Sequence, residues 1–600
     1  MAKAWRKDDR MKAVRADWSA RNCETITKTD RWIMLIVTVV YFLFAVINLG
    51  TLSFPTENWS GTTGDSLTLD LGSEATVSSV WFNGSIAQGQ LTLTSDDGQT
   101  LTYSQEYGDM FKWDENSLGT WNTRYITLTV NSGTVVFNEI AFFDASGALL
   151  DISAKDDNGI GLVDEQSTVP EEPSYYNGMI FDEIYHARTA YENLHNMSIY
   201  EWTHTPLGKL IIAVGVSIFG MNPFGWRIMG TLFGALMLPA LYIFAKRIFK
   251  RTDYALLAMG LFALDTMHFT QTRIATIDVF AVFFIILMYF FMYEYLRLDA
   301  LDDSNYKKSI RSLALSGLFF GLGVSTKWIC CYAGVGLAVL LFGNLVWRGI
   351  SCARSKDQEV RGRLQYFRVR TATTLALCLL FFVLIPGIIY FVSYTPYYRY
   401  QASIRDSYGL KDCLDTLMDN QRDMFNYHSG LQSTHMCQST WYQWPFTCKS
   451  VWFYVSETNS GLLSNISSTG NPGVWWLATI AVLCLLTATA TKKLKPNMSL
   501  FMLLIGILAN YLPWVLVPRC VFQYHFFATV PFLILAGLYY LYDLEKRYPK
   551  AVKLKWVWLG IAAVFFILMY PAISGMPTSK AYAYFVEYWL PGGWIYYGRV

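Results

Sequence analysis

The stretch FDEIYHARTAYENLHNMSIYEWTHTPLGK, residues 181–209, decides how the rest of the chain is interpreted. It begins with the adjacent carboxylates Asp182 and Glu183 and ends in a Pro-Leu-Gly turn before Lys209. The stretch is too polar to cross a bilayer, yet long apolar segments precede and follow it in the chain. We therefore expect it to fold against one membrane face. The simpler alternative is a solvated loop helix that ends in a turn.

The composition is that of a polytopic membrane protein. Hydrophobic residues occupy 53% of the 600 positions and charged residues only 16%, which excludes a soluble protein of ordinary make-up. The formal net charge of +2 says little about partners, because the placement of Lys and Arg along a membrane chain matters more than their sum. The sequence carries no nucleic-acid-binding signature.

Apolar segments of about 20 residues predict eleven membrane crossings. The first is residues 32–50, and the basic segment 1–31 before it is predicted to be cytoplasmic. A further apolar run, 210–219, has about half the length of a crossing, so we expect a re-entrant or juxtamembrane helix there. The other predicted crossings are 225–248, 253–269, 274–296, 311–327, 329–347, 371–393, 474–490, 499–517, 520–544 and 555–573.

The positions of Lys and Arg orient these helices. With eleven crossings, the loops that hold most of the basic residues all face the cytoplasm. A twelfth crossing at 210–219 would place Lys492, Lys493 and Lys495 outside, against that bias. The polar segments between the other helix ends then gather at the extracytoplasmic face, where ionisable groups at a membrane edge indicate a functional site.

Residues 51–155 follow a different pattern. Short runs of alternating apolar and polar residues are separated by turn dipeptides such as Asn83-Gly84 and Asp97-Gly98. This pattern predicts an antiparallel β-sandwich inserted after the first helix. Residues 156–174, rich in Asp, Glu, Gly, Ser and Pro, are predicted to be a linker back to the membrane.

The order of motifs in this insert resembles discoidin-type, galactose-binding jelly rolls. The motifs are Leu69-Asp-Leu-Gly72 early, Ser95-Asp-Asp-Gly98 in the middle, and Arg124-Tyr-Ile126 and Asn138-Glu-Ile140 late. The resemblance implies either a carbohydrate ligand on the insert or a structural or docking role. No motif within the insert points to catalysis.

A second resemblance covers residues 175–600. The chain resembles the protein O-mannosyltransferase family in motifs that follow one another in the family's order. They are Asp182-Glu183, His204-x-Pro-Leu-Gly-Lys209, Asn222-Pro-x-x-Trp226-Arg227, Arg273-x-x-x-Ile-Asp278, Gly323-x-x-x-Lys327-Trp328, Trp441-Tyr-x-Trp444-Pro445, Gly470-Asn-Pro-x-x-Trp475-Trp476 and Tyr524-His525. The resemblance implies the C-type membrane glycosyltransferase (GT-C) fold with eleven helices and a polyprenyl-phosphate sugar donor.

The predicted division of this region follows from the helices and the motifs. Residues 175–224 would form an extracytoplasmic catalytic loop with juxtamembrane helices, and 394–473 a large second loop between the helix groups 225–393 and 474–600. Eukaryotic members of the family carry a β-trefoil domain in the second loop, which is too short for one here. Bacterial members lack that domain, so a multi-pass protein of a bacterial plasma membrane with an extracytoplasmic active site is predicted.

Transfer from a lipid phosphate needs a base for the attacking hydroxyl and cations for the departing phosphate. The family's acidic motif implies Asp182 as the base with Glu183 beside it, although adjacent side chains point in different directions. A single base suits inversion, because retention needs a nucleophile. The candidates for holding the phosphate are Arg273, Lys327, Arg519 and His525, with His204, Lys209, Asp278 and Tyr524 as supporting residues.

Several assignments stay open. Ion pairing of Arg273 with Asp278, snorkelling of Lys327 and headgroup contact of Arg519 are the simpler explanations of those charges. A divalent metal is an alternative partner of the phosphate, with Asp182, His186 and His204 as its ligands, but the family resemblance does not imply one. In the second loop, His428, Trp441 and Trp444 suit an acceptor or sugar, while Trp-rich segments also anchor membrane interfaces, and pairing among Cys413, Cys437 and Cys448 is undetermined.

Two classes of function fit these features. The first is a glycosyltransferase that moves mannose, or another hexose, from a polyprenyl phosphate to Ser or Thr of exported proteins. The same donor chemistry directed at a lipid or cell-wall polymer is its nearest alternative. The second class is a transporter or sugar-sensing receptor, which should show internal repeats and charges at mid-membrane. Neither feature is found in the sequence.

Overall fold

A computed structural model describes residues 26–298, 303–354, 364–589 and 595 of the chain. The predicted cytoplasmic segment 1–31 therefore lies outside the described residues up to position 25, as do parts of two basic loops and of the carboxyl-terminal tail. Within the described residues the fold has two parts. They are a bundle of long helices and an all-β domain inserted after the first helix.

Nine helical segments in the described residues are long and apolar enough to cross a membrane. They confirm a multi-pass α-helical protein, and each overlaps one of the predicted crossings. The helices are α1 (Lys28–Val46), α4 (Pro223–Phe249), α7 (Asp278–Arg297), α9 (Ile329–Ala353), α10 and α11 (Leu364–Leu379 and Ile385–Ser393, one span), α14 (Pro472–Ala490), α15 (Met498–Tyr511), α16 (Val530–Arg547) and α17 (Val552–Ser574).

The two remaining predicted crossings do not meet the same length and hydropathy criteria. The segment 253–269 folds as two short helices, α5 (Thr252–Ala263) and α6 (Thr266–Gln271). The segment 311–327 belongs to α8 (Asp303–Val324), which packs closely along α7. The count of eleven crossings thus stays a prediction. The half-length run forms α3 (Leu207–Phe219), 13 residues long, as expected.

Asn-Pro pairs begin two of the long helices. The Asn222 side chain caps α4 by accepting a hydrogen bond from the backbone of Gly225 at 2.7 Å, and Asn471 caps α14 in the same way through Gly473 at 2.8 Å. Proline at the first helical position sets φ without loss of a needed N–H. Both Asn-Pro motifs of the sequence are therefore helix starts.

The inserted β-domain is one hydrogen-bonded sheet with the strand path β4-β3-β5-β2-β6 and β1 paired to β5. Its strands are β1 (Trp59–Thr62), β2 (Ser66–Gly84), β3 (Gln88–Ser95), β4 (Thr100–Gln105), β5 (Trp113–Phe143) and β6 (Ser153–Ala154). The predicted all-β domain is present, but not as two separate sheets.

The reason lies in the length and bending of two strands. β2 has 19 residues and β5 has 31, and β5 bends at Gly119 and Gly133, where positive φ values of 75° and 72° suit glycine. A single long strand can then pass from one layer of the folded sheet to the other, and both layers pack on the same apolar core. The specific resemblance to discoidin-type domains is not confirmed and stays a prediction.

The remaining elements complete the extracytoplasmic face. Before α3 comes a short polar helix, α2 (Glu183–Leu194). The second loop contributes the helices α12 (Thr395–Ser403) and α13 (Leu410–Gly430) and a hairpin of β7 (Val451–Glu457) and β8 (Leu463–Ser468). The chain then returns through α14, and its last described α-helix, α18 (Lys580–Tyr584), continues into a π-helical turn at Phe585–Trp589.

Candidate active site

Asp182 stands at the start of α2 with a carboxylate that the fold leaves unused. An Asp at this position usually caps the helix, but the Asp182 side chain makes no capping hydrogen bond. The preceding residue, Phe181, has a left-handed φ of 47° and its ring stacks on Phe453 of β7 at 4.4 Å. Such backbone strain persists only where neighbouring structure enforces it. The β7-β8 hairpin therefore helps to fix the direction of the Asp182 carboxylate.

The environment of Asp182 suits a base. Burial raises the pKa of Asp182 to about 7, while the Lys327 ammonium lowers it and the Asp278 carboxylate raises it. Lys327 lies just before the start of α9, and Asp278 is the first residue of α7. The two form an ion pair, with 2.8 Å between the Lys327 Nζ and each Asp278 carboxylate oxygen. A general base is most effective when its pKa is close to the working pH.

Glu183, the neighbouring acid, faces the interior. Its carboxylate is fully buried and accepts two hydrogen bonds from the Arg227 guanidinium of α4, both at 2.7 Å. The backbone N–H groups of Ile180 and Ala275 also donate to it, each at 3.0 Å. The two adjacent acids thus point apart, as the geometry of consecutive residues requires.

A third acid, Glu201, organises the end of the loop. Its carboxylate accepts from the Lys209 ammonium at 2.5 Å and lies 3.0 Å from Nδ1 of His204. Burial alone raises the pKa of Glu201, but Lys209 and His204 together hold it well below its usual range. Lys209 is fully buried and also donates to two backbone carbonyls of the turn. Sequence reasoning missed Glu201, although its place three residues before His204 was visible.

Three histidines from different parts of the chain meet beside this ion pair. The ring of His204 lies 5.8 Å from that of His186 on α2 and 5.3 Å from that of His428 on α13. Burial lowers the pKa of each, to about 4 for His428, so the rings are neutral near pH 7. Nε2 of His428 lies 2.8 Å from the carbonyl of Thr203. The second loop is thereby joined to the first.

The Arg519 guanidinium has no hydrogen bond or ion pair within the described part of the chain. It is half-exposed, and its charge is one of the causes that lower the pKa of His428. Tyr524 stacks on His525 at 4.7 Å, and His525 itself packs against Trp514 at 4.2 Å. Arg519 is therefore available to an anionic ligand, whereas His525 is mostly enclosed by aromatic rings.

Arg273 is occupied elsewhere. Its guanidinium donates to the carbonyls of Ala45, Ile47 and Asn48, at 2.8–2.9 Å, and so caps the extracytoplasmic end of α1.

Among the aromatic residues of the second loop, Trp444 is fully buried and donates to the Ser439 hydroxyl at 3.0 Å. Trp441 is half-buried, and its carbonyl accepts from Tyr511 at 2.8 Å.

The structure offers no support for a metal or a disulfide among its described residues. No group of three or more His, Cys, Asp or Glu side chains there is spaced to hold a metal ion. Cys413, Cys437 and Cys448 are each free thiols in the structure.

The overall architecture matches a solved glycosyltransferase. The structure of the S. cerevisiae protein O-mannosyltransferase Pmt1-Pmt2 complex bound to the sugar donor superposes with a TM-score of 0.56 at 14% identity, covering 69% of this chain and 89% of that one. The fold is thus that of the C-type membrane glycosyltransferases.

Sequence comparison then identifies the family. The model of dolichyl-phosphate-mannose-protein mannosyltransferases matches residues 173–398, and the model of the C-terminal four-helix region of protein O-mannosyltransferases matches 413–592. The chain belongs to the protein O-mannosyltransferase family.

Bacterial relatives cover most of the same region. A polyprenol-phosphate-mannose–protein mannosyltransferase of Mycobacterium tuberculosis is 26% identical over 466 residues, which are 69% of this chain and 86% of the relative. The enzyme of the same name from Mycolicibacterium smegmatis is 26% identical over 463 residues, 69% of this chain and 87% of the relative. The family matches begin at residue 173, so the β-domain lies before them.

Proposed function

We propose that this protein transfers mannose from a polyprenyl phosphate to Ser or Thr hydroxyl groups of exported proteins, with inversion at the anomeric carbon. The observation that carries the proposal is the half-buried Asp182 carboxylate, which has no hydrogen-bond partner among the described residues and a pKa of about 7. The names of the bacterial relatives support the donor and the protein acceptor.

In the proposed reaction the acceptor oxygen attacks the anomeric carbon as the bond from that carbon to the phosphate oxygen breaks. Asp182 takes the hydroxyl proton, and the polyprenyl phosphate leaves with the bonding electron pair. No enzyme nucleophile takes part, so a single displacement inverts the configuration. Arg519 is proposed to bind the departing phosphate, because a guanidinium group can donate two parallel hydrogen bonds to two phosphate oxygens. Lys327 would contribute its charge from within the pair with Asp278.

The other predicted site residues take positioning roles in this proposal. Glu183 holds α2 against α4 through Arg227, and Arg273 holds the end of α1. Lys209 and Glu201 fix His204, which lines the site beside His428. His525 and Tyr524 support the segment that carries Arg519, and Trp444 supports the second loop from within.

The test is a transfer assay with the purified full-length protein. Synthetic polyprenyl-phosphate mannose carrying a radiolabel is incubated with a Ser/Thr-rich peptide, and separately with a polyprenol lipid and with a cell-wall polysaccharide. Label in the peptide, in the configuration opposite to that of the donor, supports the proposal. Label that enters only the lipid or the polymer would assign the same chemistry to another acceptor.

A further inference from the structure

A row of three tyrosines leads from Asp182 to the β-domain. Tyr185 follows Asp182 by one turn of α2, and its ring is stacked parallel to that of Tyr200, with centroids 6.2 Å apart and 3° between the planes. Tyr200 in turn meets Tyr107, from the β-domain loop between β4 and β5, at 5.8 Å. The three residues are between 39% and 41% exposed. Burial, and next the charge of Asp182, raise the pKa of Tyr185, so the row begins beside the base.

An internal cation holds the outer two rings in place. The Arg188 guanidinium lies 3.8 Å from the ring centroid of Tyr200 and 4.7 Å from that of Tyr107. Arg188 is itself buried and donates to Glu192 at 2.6 Å, and Glu192 also accepts from the backbone of Tyr200 at 2.9 Å. Desolvated cation–π contacts are stronger than exposed ones. The row is therefore a built feature of the loop and not a chance meeting of surface side chains.

The β-domain loop is fixed to the catalytic loop at a second point. The backbone of Phe111 accepts a hydrogen bond from Met179 at 3.0 Å and donates one to Gly84 at 2.6 Å. Its ring packs on Tyr191 of α2 at 5.4 Å. A module that only hung from a flexible linker would not need these contacts. They place Tyr107 at a set distance from Asp182.

We infer that Tyr107 is a specificity-determining residue, through which the β-domain binds the acceptor polypeptide a few residues away from the hydroxyl that is modified. This inference rests on the proposed function. The two ring-to-ring steps equal roughly three to four residues of extended chain. Exposed tyrosine rings offer flat apolar faces with a polar tip, which suit extended segments that contain proline and small hydroxyl residues. The occupant is accordingly an extended Ser/Thr-containing segment of an exported protein.

The test compares a long acceptor with a short one. The full-length protein is assayed with polyprenyl-phosphate mannose and either a twelve-residue peptide with one central Thr or a blocked single Thr. Tyr107→Ala should raise KM for the long peptide about three- to tenfold and leave kcat, and all transfer to the single Thr, unchanged. Tyr107→Phe, which keeps the ring, should restore the wild-type KM. The matched control is Tyr125→Ala, because Tyr125 is a half-buried tyrosine elsewhere in the β-domain. This variant should change neither the KM for the long peptide nor transfer to the single Thr.

Each other outcome is decisive. An unchanged KM for the long peptide overturns the inference, and so does an equal loss with both acceptors, since Tyr107 would then only dock the β-domain. A photo-crosslinking amino acid at position 107 gives a second reading, because it should capture the long peptide and not the single Thr. If the wild-type protein transfers mannose to neither acceptor, the proposed function fails, and the inference with it.

Discussion

Asp182 differs from the other acids of the site because no cation among the described residues pairs with it. Glu183 is neutralised by Arg227, Glu201 by Lys209 and Asp278 by Lys327, each within a buried or half-buried ion pair. Asp182 has no ion-pair partner within the described residues. A carboxylate left without a partner at a buried edge is costly to the fold, and its retention indicates use in chemistry.

The pH dependence of turnover should follow Asp182. A base acts when ionised, so the rate should rise with pH through a midpoint near the pKa of about 7 and then level off. Because Lys327 lowers this pKa and Asp278 raises it, Lys327→Met should move the midpoint to higher pH and Asp278→Asn to lower pH. The measurement is kcat against pH for the three proteins. Shifts in the same direction would show that the midpoint does not belong to Asp182.

Arg519 should act on donor binding. Arg519→Ala removes a cation without a partner in the described residues, so donor affinity should fall about tenfold to a hundredfold, the usual effect of losing a charged hydrogen bond. Binding of a non-hydrolysable polyprenyl-phosphate sugar to the purified protein measures this loss. Arg422→Ala is the control, because the Arg422 side chain is 69% exposed and forms a surface ion pair with Asp419. Equal affinities of the Arg519 variant and the wild type would remove Arg519 from the phosphate site.

At the scale of elements, the buried Glu183–Arg227 ion pair joins α2 to α4. Removing one partner of a buried ion pair costs roughly 3–5 kcal/mol. Glu183→Ala should therefore lower the melting temperature in detergent together with activity. The control, Glu457→Ala, breaks a surface pair with Lys580 and should cost at most about 1 kcal/mol. A Glu183 variant with wild-type stability and no turnover would assign Glu183 to the chemistry itself.

Elements that depend on local sequence could be predicted, and those that depend on distant pairing could not. The apolar spans, the β-domain and the place of Asp182 follow from period, length and motif. The role of Glu201 does not, because only the folded turn brings the Lys209 ammonium and the His204 ring against its carboxylate. Likewise Arg273 was visible as a charge at a helix end, but its three carbonyl partners at the end of α1 lie more than 200 positions away in the chain.

On the scale of the whole molecule, ion pairs join elements of the chain at both ends of the helix bundle. At the end away from the site, Lys246 pairs with Asp30, and Arg251 pairs with Glu545 at 2.7 Å. α4 connects the two ends, since Arg227 near its start binds Glu183 and Lys246 near its finish binds Asp30. The Lys and Arg bias of the sequence predicts that the end with the site faces outward.

Sidedness can be measured by thiol labelling of intact cells. Cys448, exposed in the second loop, should react with a membrane-impermeant maleimide from outside. A cysteine introduced by Lys550→Cys, at the exposed turn before α17, should react only after the membrane is permeabilised. Peptide mass spectrometry reads both positions in one sample. Labelling of position 550 without permeabilisation, with Cys448 protected, would invert the topology and move the site to the cytoplasm.

The measurement that bears most directly on the account compares wild-type protein with Asp182→Asn in mannose transfer from polyprenyl-phosphate mannose to a Ser/Thr peptide, with donor binding measured in parallel. Asn keeps the size of the side chain but cannot take a proton. The account predicts that transfer falls at least about a hundredfold while donor affinity stays within about twofold. An Asn variant that transfers mannose at the wild-type rate would contradict the assignment of Asp182 as the base.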